Sequence, residues 1–383
     1  MAKTTKPGWL YFIKTSVFAV LAMILSGHAY SAGQIKVSYL SPALDRAFWQ
    51  NTYDLMQAAA DDLNIELTPV FTESNYRLTK AGLKLLNAKE KPDYFIASFL
   101  AEIAAHLLSV AEERQIKTIL INGSIPETDK AIVGLPRDKL KYWLGLLYPD
   151  DYSAGYQLSR YLLQQGKENT GSINLNVIGL GGDPVGAPSL NRERGFRRGL
   201  KEFGTANLLE YVTCDWEREV GKNMALQYLD KHPKIDVIWT ASDEIAMGAM
   251  TSIYTAGLKP GKDIVVGGFD WSPEALQKIK NGEMSASMGG HFIEGVFALI
   301  LIHDYHHGID FTNDPGLQHQ TPMQMITTEN VDRYYQILSH PDWGRIDFRQ
   351  FSKVYNKSLK KYDFSFEVLA KQLAPAKPGT AAN

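Results

Sequence analysis

The 383-residue chain is longer than one hydrophobic core usually supports, which points to two domains. Its composition is ordinary for a globular protein, 45% hydrophobic and 21% charged. A net charge of −2 gives no electrostatic drive toward nucleic acid or an acidic membrane surface, so no nucleic-acid partner is expected. The only cysteine, Cys214, excludes an intramolecular disulfide.

Residues 1–31 have the organisation of a secretory signal. Lys3, Lys6 and Lys14 precede the apolar run 15-TSVFAVLAMIL-25, and 29-AYS-31 places small residues where a signal peptidase reads, with cleavage expected after Ser31. The apolar run is short of the roughly 20 residues a spanning helix needs, so removal is expected rather than retention as an anchor. The expected location is the periplasm.

From residue 35 the pattern alternates strand and helix. Apolar, β-branched runs predict strands at 35-IKVSYL-40, 65-IELTPVF-71, 93-DYFIAS-98 and 117-KTILIN-122. Between them, apolar residues at three- and four-residue spacing predict helices near 47–63, 77–88 and 102–114. The second half repeats the theme, with strands at 173–180, 208–212, 235–241 and 263–269 and helices at 152–165, 190–203, 217–231, 243–256 and 272–281. Short strands joined by helical crossovers predict an α/β protein, with parallel sheets covered on both faces. The turn chemistry of 122–126 marks a boundary between two such sheets, and Gly289-Gly290 a return crossing.

In open α/β sheets, ligands bind beyond the carboxyl ends of the strands. The segments there carry Phe48 and Trp49, Asn75, Glu102, Asn122, Arg192, Trp216, Ser242, and the turn 270-DWSP-273. Aromatic faces beside Asp, Asn, Glu and Arg suit a polyhydroxylated ligand, whose C–H face packs on a ring while its hydroxyls donate and accept. Asp243, Asp270 or Ser272 can equally cap the helix that follows.

Three segments in order, 189-SLNRERGFRRGL-200, 239-WTASDEIAMGAM-250 and 265-VVGGFDWSPEAL-276, resemble the second-domain motifs of type I periplasmic solute-binding proteins of the ribose/galactose-binding type. That group is related to lactose-repressor-like sensing domains and to autoinducer-2-binding periplasmic proteins. The resemblance covers about residues 34–327 and implies two similar doubly wound lobes joined by three crossings, closing on a ligand by hinge motion. It places the N-terminal lobe at 34–122 and 291–322, the C-terminal lobe at 123–290 and 323–330, and a helical C-terminal extension at 331–383. It implies ligand contacts from Phe48, Trp49, Arg192, Trp216, Ser242, Asp270, Trp271 and His291, with Asn75, Glu102 and Asn122 as first-lobe polar positions. Ser242 replaces a common asparagine, Trp271 a small residue and His291 a glutamine, so a simple ribose pocket is not implied.

Other chemistries fit less well. The 179-GLGGDPVG-186 segment lacks the dinucleotide register, and prolines interrupt it. His303 and His307 share a helical face, but in 303-HDYHH-307 they fit a polar helix end near its C-terminal dipole. No G-x-S-x-G elbow occurs, and Cys214 has no evident local base. The expectation is therefore a monomeric binding protein with no catalysis, no cofactor and no metal. It would take a sugar-like ligand for an ABC importer, or alternatively present its closed form to a membrane sensor kinase or cyclase.

Overall fold

The computed structural model describes Met1 and residues 33–373, apart from 43–46, 73–74, 99–102 and 126. Residues 2–31 of the expected signal segment, the tail at 374–383 and Glu102 lie outside the described residues. From Ile35 onward the chain forms one unit containing two six-stranded sheets.

The first sheet holds β1 (Ile35–Pro42), β2 (Ile65–Thr72), β3 (Tyr94–Ser98), β4 (Lys117–Ile121), β5 (Trp143–Pro149) and β11 (Gln318–Thr321), in the order β11-β5-β4-β3-β1-β2. The second holds β6 (Asn176–Gly181), β7 (Asn207–Thr213), β8 (Val237–Thr240), β9 (Val265–Phe269), β10 (Ala286–Gly289) and β12 (Gln324–Thr327), in the order β12-β10-β9-β8-β6-β7. Every pairing is parallel except β10 with β12. Strands β3 and β9 are buried at every residue, as helices on both faces require. Alternate residues enter different clusters: Tyr39, Ile96 and Ile119 join one, Leu40, Phe95 and Leu120 the other.

The chain passes between sheets three times: after Pro149, across Gly289-Gly290, and at Pro322-Met323. The first passage lies beyond the boundary expected at 122–126. The reason is that 143-WLGLLYP-149, a run buried at all but one residue, adds a fifth strand to the first sheet.

Helix ends follow local chemistry. The side chains of Asp150, Ser242 and Ser272 accept the backbone N–H groups of Ser153, Ile245 and Ala275, and Pro273 occupies the first turn. Helices Asp151–Thr170 and Ala187–Phe203 cross through glycines. A Cβ on Gly155 would lie 2.2 Å from the Arg192 carbonyl oxygen, and one on Gly195 2.1 Å from that of Tyr152. This contact sets Arg192 against Asp151. Gly155→Ala must push the helices apart, and it should lower stability by about 1–3 kcal/mol in urea unfolding. An unchanged midpoint would refute this packing.

Beyond β12 lie helix Val331–Leu338, short 3₁₀ turns at Trp343–Arg345 and Phe348–Phe351, and helix Phe366–Leu373. This extension packs on both sheet units. Trp343 Nε1 donates to Asn51 Oδ1, and the Phe348 N–H to the Asp62 carboxylate. Ser352 and Tyr362 hydroxyls donate to buried Asp304, and Phe364 stacks on Phe297 at 4.1 Å. On the other unit, Lys280 pairs with Asp332.

Candidate functional site

A cavity of about 300 Å³ opens between the two sheets, beyond the carboxyl ends of their parallel strands. The first unit contributes Phe48, Trp49, Thr72 and Asn122; the second contributes Asp183, Arg192, Asp215, Trp216, Ser242, Asp243, Glu244 and Asp270; His291 enters from the second crossing.

Arg192 is the hub and is 3% exposed. Its Nε donates to Asp151 Oδ1 at 2.8 Å and its Nη1 to the Ala241 carbonyl at 2.7 Å. Its guanidinium carbon lies 4.4 Å from the centre of the Phe269 ring. Asp270 Oδ1 stands 3.8 Å from Nη1, and His291 Nε2 lies 3.3 Å from Nη2. Burial and the Arg192 charge push the His291 pKa well below its ordinary value, so the imidazole is neutral. Nε2 faces a guanidinium that can only donate, which assigns the ring proton to Nδ1, an atom with no hydrogen-bond partner among the described residues. Phe48 stacks on this ring at 4.5 Å and meets Trp49 edge-on at 4.8 Å.

Burial pushes the Asp270 carboxyl up to about 6 although Arg192 draws it down. Asp243 is raised well above the carboxylate range by burial and by the nearby Asp270 charge. The Asp243 oxygens accept the Ser272 N–H at 2.8 Å and the Ser287 hydroxyl at 2.8 Å, bracing the turn that carries Asp270. Trp216 Nε1 donates to Asp183 Oδ2 at 2.7 Å, and its ring lies on the Gly182 backbone, where a Cβ would come within 2.4 Å. Asn122 donates from its backbone N–H and Nδ2 to Glu294 Oε2, at 2.7 and 2.9 Å.

Eight of the residues the sequence singles out line this cavity: Phe48, Trp49, Asn122, Arg192, Trp216, Ser242, Asp270 and His291. Asn75 opens helix Asn75–Leu86, and its side chain, like Glu102, is outside the described residues. Trp271 is a correction. It is 3% exposed and does not line the cavity. Asp270 (φ 107°) and Trp271 (φ 57°) are both left-handed, and the indole lies against the crossing instead, with Nε1 donating to the Ser287 carbonyl at 3.1 Å. Sequence reasoning missed Asp183, Asp215 and Glu244 as cavity residues, and read Asp243 as a cap where Ser242 is the cap. Their signal was position alone: Asp183 and Asp215 lie two residues beyond the ends of β6 and β7, and Asp243 and Glu244 lie one and two residues after the Ser242 cap.

Among the described residues no group of three or more His, Cys, Asp or Glu could hold a metal ion, and no helix is long and apolar enough to cross a membrane.

Two mostly parallel sheets flanked by helices, with a polar and aromatic cavity between their strand ends, define a type I periplasmic binding protein fold. The chain belongs to the periplasmic binding protein domain family, which matches residues 37–294. A crystal structure of a periplasmic sugar-binding protein from Pseudomonas fluorescens superposes with a TM-score of 0.78 at 28% identity, over 87% of this chain and 98% of that one. A galactofuranose-binding protein of Escherichia coli is 26% identical over 51% of this chain and 58% of its own length. A ribose import binding protein of Salmonella typhimurium is 22% identical over 71% of this chain and 85% of its own. The family and these relatives are binding proteins.

Proposed function

We propose that the protein binds an uncharged, sugar-like polyol in the cavity between the sheets and delivers it to an ABC importer, without catalysis, as a periplasmic monomer freed of residues 1–31. The carrying observation is the joint presence of Phe48, Trp49 and Trp216 with Asp270, Asp183, Asp215, Glu244 and Arg192 around one cavity. Carboxylates outnumber the single lining guanidinium, which is already engaged by Asp151. Such a lining accepts hydrogen bonds from hydroxyls and repels sugar acids and sugar phosphates. The sheet units would be the moving lobes, residues 35–149 with 291–321 against 150–289 with 324–327, and sugar would shift them toward closure by its greater affinity for the closed state. Importer delivery is favoured over presentation to a sensor because the ribose relative is named as an import protein.

The test is thermal unfolding of the mature chain with D-ribose, D-allose, D-galactose, L-arabinose and myo-inositol, beside D-galacturonate and ribose 5-phosphate. A bound sugar at 100 times its Kd should add about 2.7 kcal/mol of stability. Asp270→Asn should remove the rise, and the two anions should give none. A response to the anions alone, or to no polyol, would refute the reading.

A further inference from the structure

The cavity residues Asp270 and His291 come from different segments, yet each is followed by a buried aromatic that does not line the cavity, Trp271 and Phe292. Both aromatics meet the same ring. Phe366, 3% exposed and at the start of the last described helix, has its centroid 5.4 Å from Trp271 and 5.7 Å from Phe292, both edge-on. Tyr334 adds a second face, 5.3 Å from Trp271 and 6.1 Å from Phe366. The Tyr334 hydroxyl donates to Glu367 Oε1 at 2.8 Å, and Arg333 pairs with Glu367, so the two helices of the extension are tied together behind this cluster.

The held segments need holding. Two successive non-glycine residues with positive φ, Asp270 and Trp271, carry backbone strain, and such strain persists only where the surroundings over-determine it. The Trp271 indole also lies on the second crossing: a Cβ on Gly289 would fall 2.5 Å from its Cγ, and Gly290 has φ 100°. One aromatic wedge therefore sets the turn that aims Asp270 and the crossing that delivers His291, whose Nε2 ends 3.6 Å from Asp270 Oδ1.

We infer that Phe366 is a positioning residue for the ligand cavity, holding Asp270 and His291 in register through Trp271 and Phe292. The C-terminal extension is then a working part of the binding site rather than an appendage. The inference rests on the cavity being the ligand site, and its readouts separate the two.

The experiment compares Phe366→Ala with Phe348→Ala, a fully buried extension aromatic that packs on Phe351 and binds Asp62 through its backbone, away from both dipeptides. The His291 imidazole is followed by NMR through a pH titration of the sugar-free protein. In the wild type and in Phe348→Ala it should titrate well below the ordinary value of 6.5. In Phe366→Ala its titration should move up toward that value as the ring loses its fixed, dry setting. Phe366→Leu serves if the alanine variant does not fold, and should give a smaller shift of the same sign. Equal titration in the Phe366 and Phe348 variants, shifted or not, overturns the inference. The sugar panel supplies the second readout: any thermal rise should shrink in Phe366→Ala and persist in Phe348→Ala, and an unshrunk rise in Phe366→Ala overturns the inference too. A His291 shift confined to the Phe366 variant, with no sugar response even in the wild type, would sink the sugar reading and leave the positioning role standing.

Discussion

Arg192→Ala should be the most damaging single substitution in the cavity, lowering stability by roughly 3–5 kcal/mol and abolishing any sugar-induced rise in Tm. Asp151 is 4% exposed, and burial already raises its pKa in spite of the Arg192 charge and hydrogen bond. Without the guanidinium, a buried carboxylate loses its partner, the Ala241 carbonyl loses its donor, and His291 loses the group that fixes its tautomer. Arg192→Lys keeps a charge but cannot reproduce three divergent contacts, so most of the loss should remain. Replacing both partners, Arg192→Met with Asp151→Leu, should recover much of the stability and none of the binding, because removing a buried pair together costs far less than orphaning one half. Urea midpoints with thermal shifts on the sugar panel test this. A single alanine variant that unfolds at the wild-type midpoint would show that the hub is not structural.

Stability should fall as pH rises from about 6.5 to 8, chiefly through Glu294, whereas below 6.5 the depressed His291 acts with the opposite sign. The Glu294 side chain has no exposed surface, and burial pushes its carboxyl up to about 8 against the opposing pull of the two Asn122 hydrogen bonds. A folded pKa above the unfolded value of 4.5 means that the folded state holds the proton more tightly. The stability is fully present below 4.5 and is lost as pH climbs through 8. The total is roughly 3–5 kcal/mol. Asp270, raised from 3.8 to about 6, acts with the same sign over a lower and narrower window. Glu294→Gln keeps an oxygen for the two Asn122 donors and has no proton to lose. Its urea midpoint should exceed the wild type's at pH 8.5, and its profile between pH 6.5 and 8.5 should be nearly flat. A wild-type profile that rises across that range would contradict the assignment.

The central parallel strands were legible because both of their faces are buried, and burial writes an uninterrupted apolar run into the chain. The run at 143–149 is as apolar as the others, but the turn residues at 122–126 offer an earlier stopping point. Only pairing with β4 reveals the fifth strand. Strands β11 (QHQT) and β12 (QMIT) are four residues each and partly exposed, so they carry almost no hydrophobic pattern. At the site, position beyond a strand end located Arg192 and Asp270, and the family resemblance located His291, but neither told which way a side chain turns. Trp271 has the chemistry of a sugar platform, and two left-handed residues in a row direct it elsewhere. Asp243 shows the same limit: Ser242 before it takes the capping duty and leaves its carboxylate to brace the Asp270 turn.

Strands β11 and β12 are separated by only Pro322 and Met323, yet each closes the edge of a different sheet, β11 beside β5 and β12 beside β10. During synthesis, both sheets therefore wait for the same short stretch. A chain truncated near residue 315 would leave β5 and β10 with open backbone donors and acceptors, two sticky margins on one molecule. Neither of these two margins is covered until residues 318–327 have been made, so one ten-residue stretch completes both sheets.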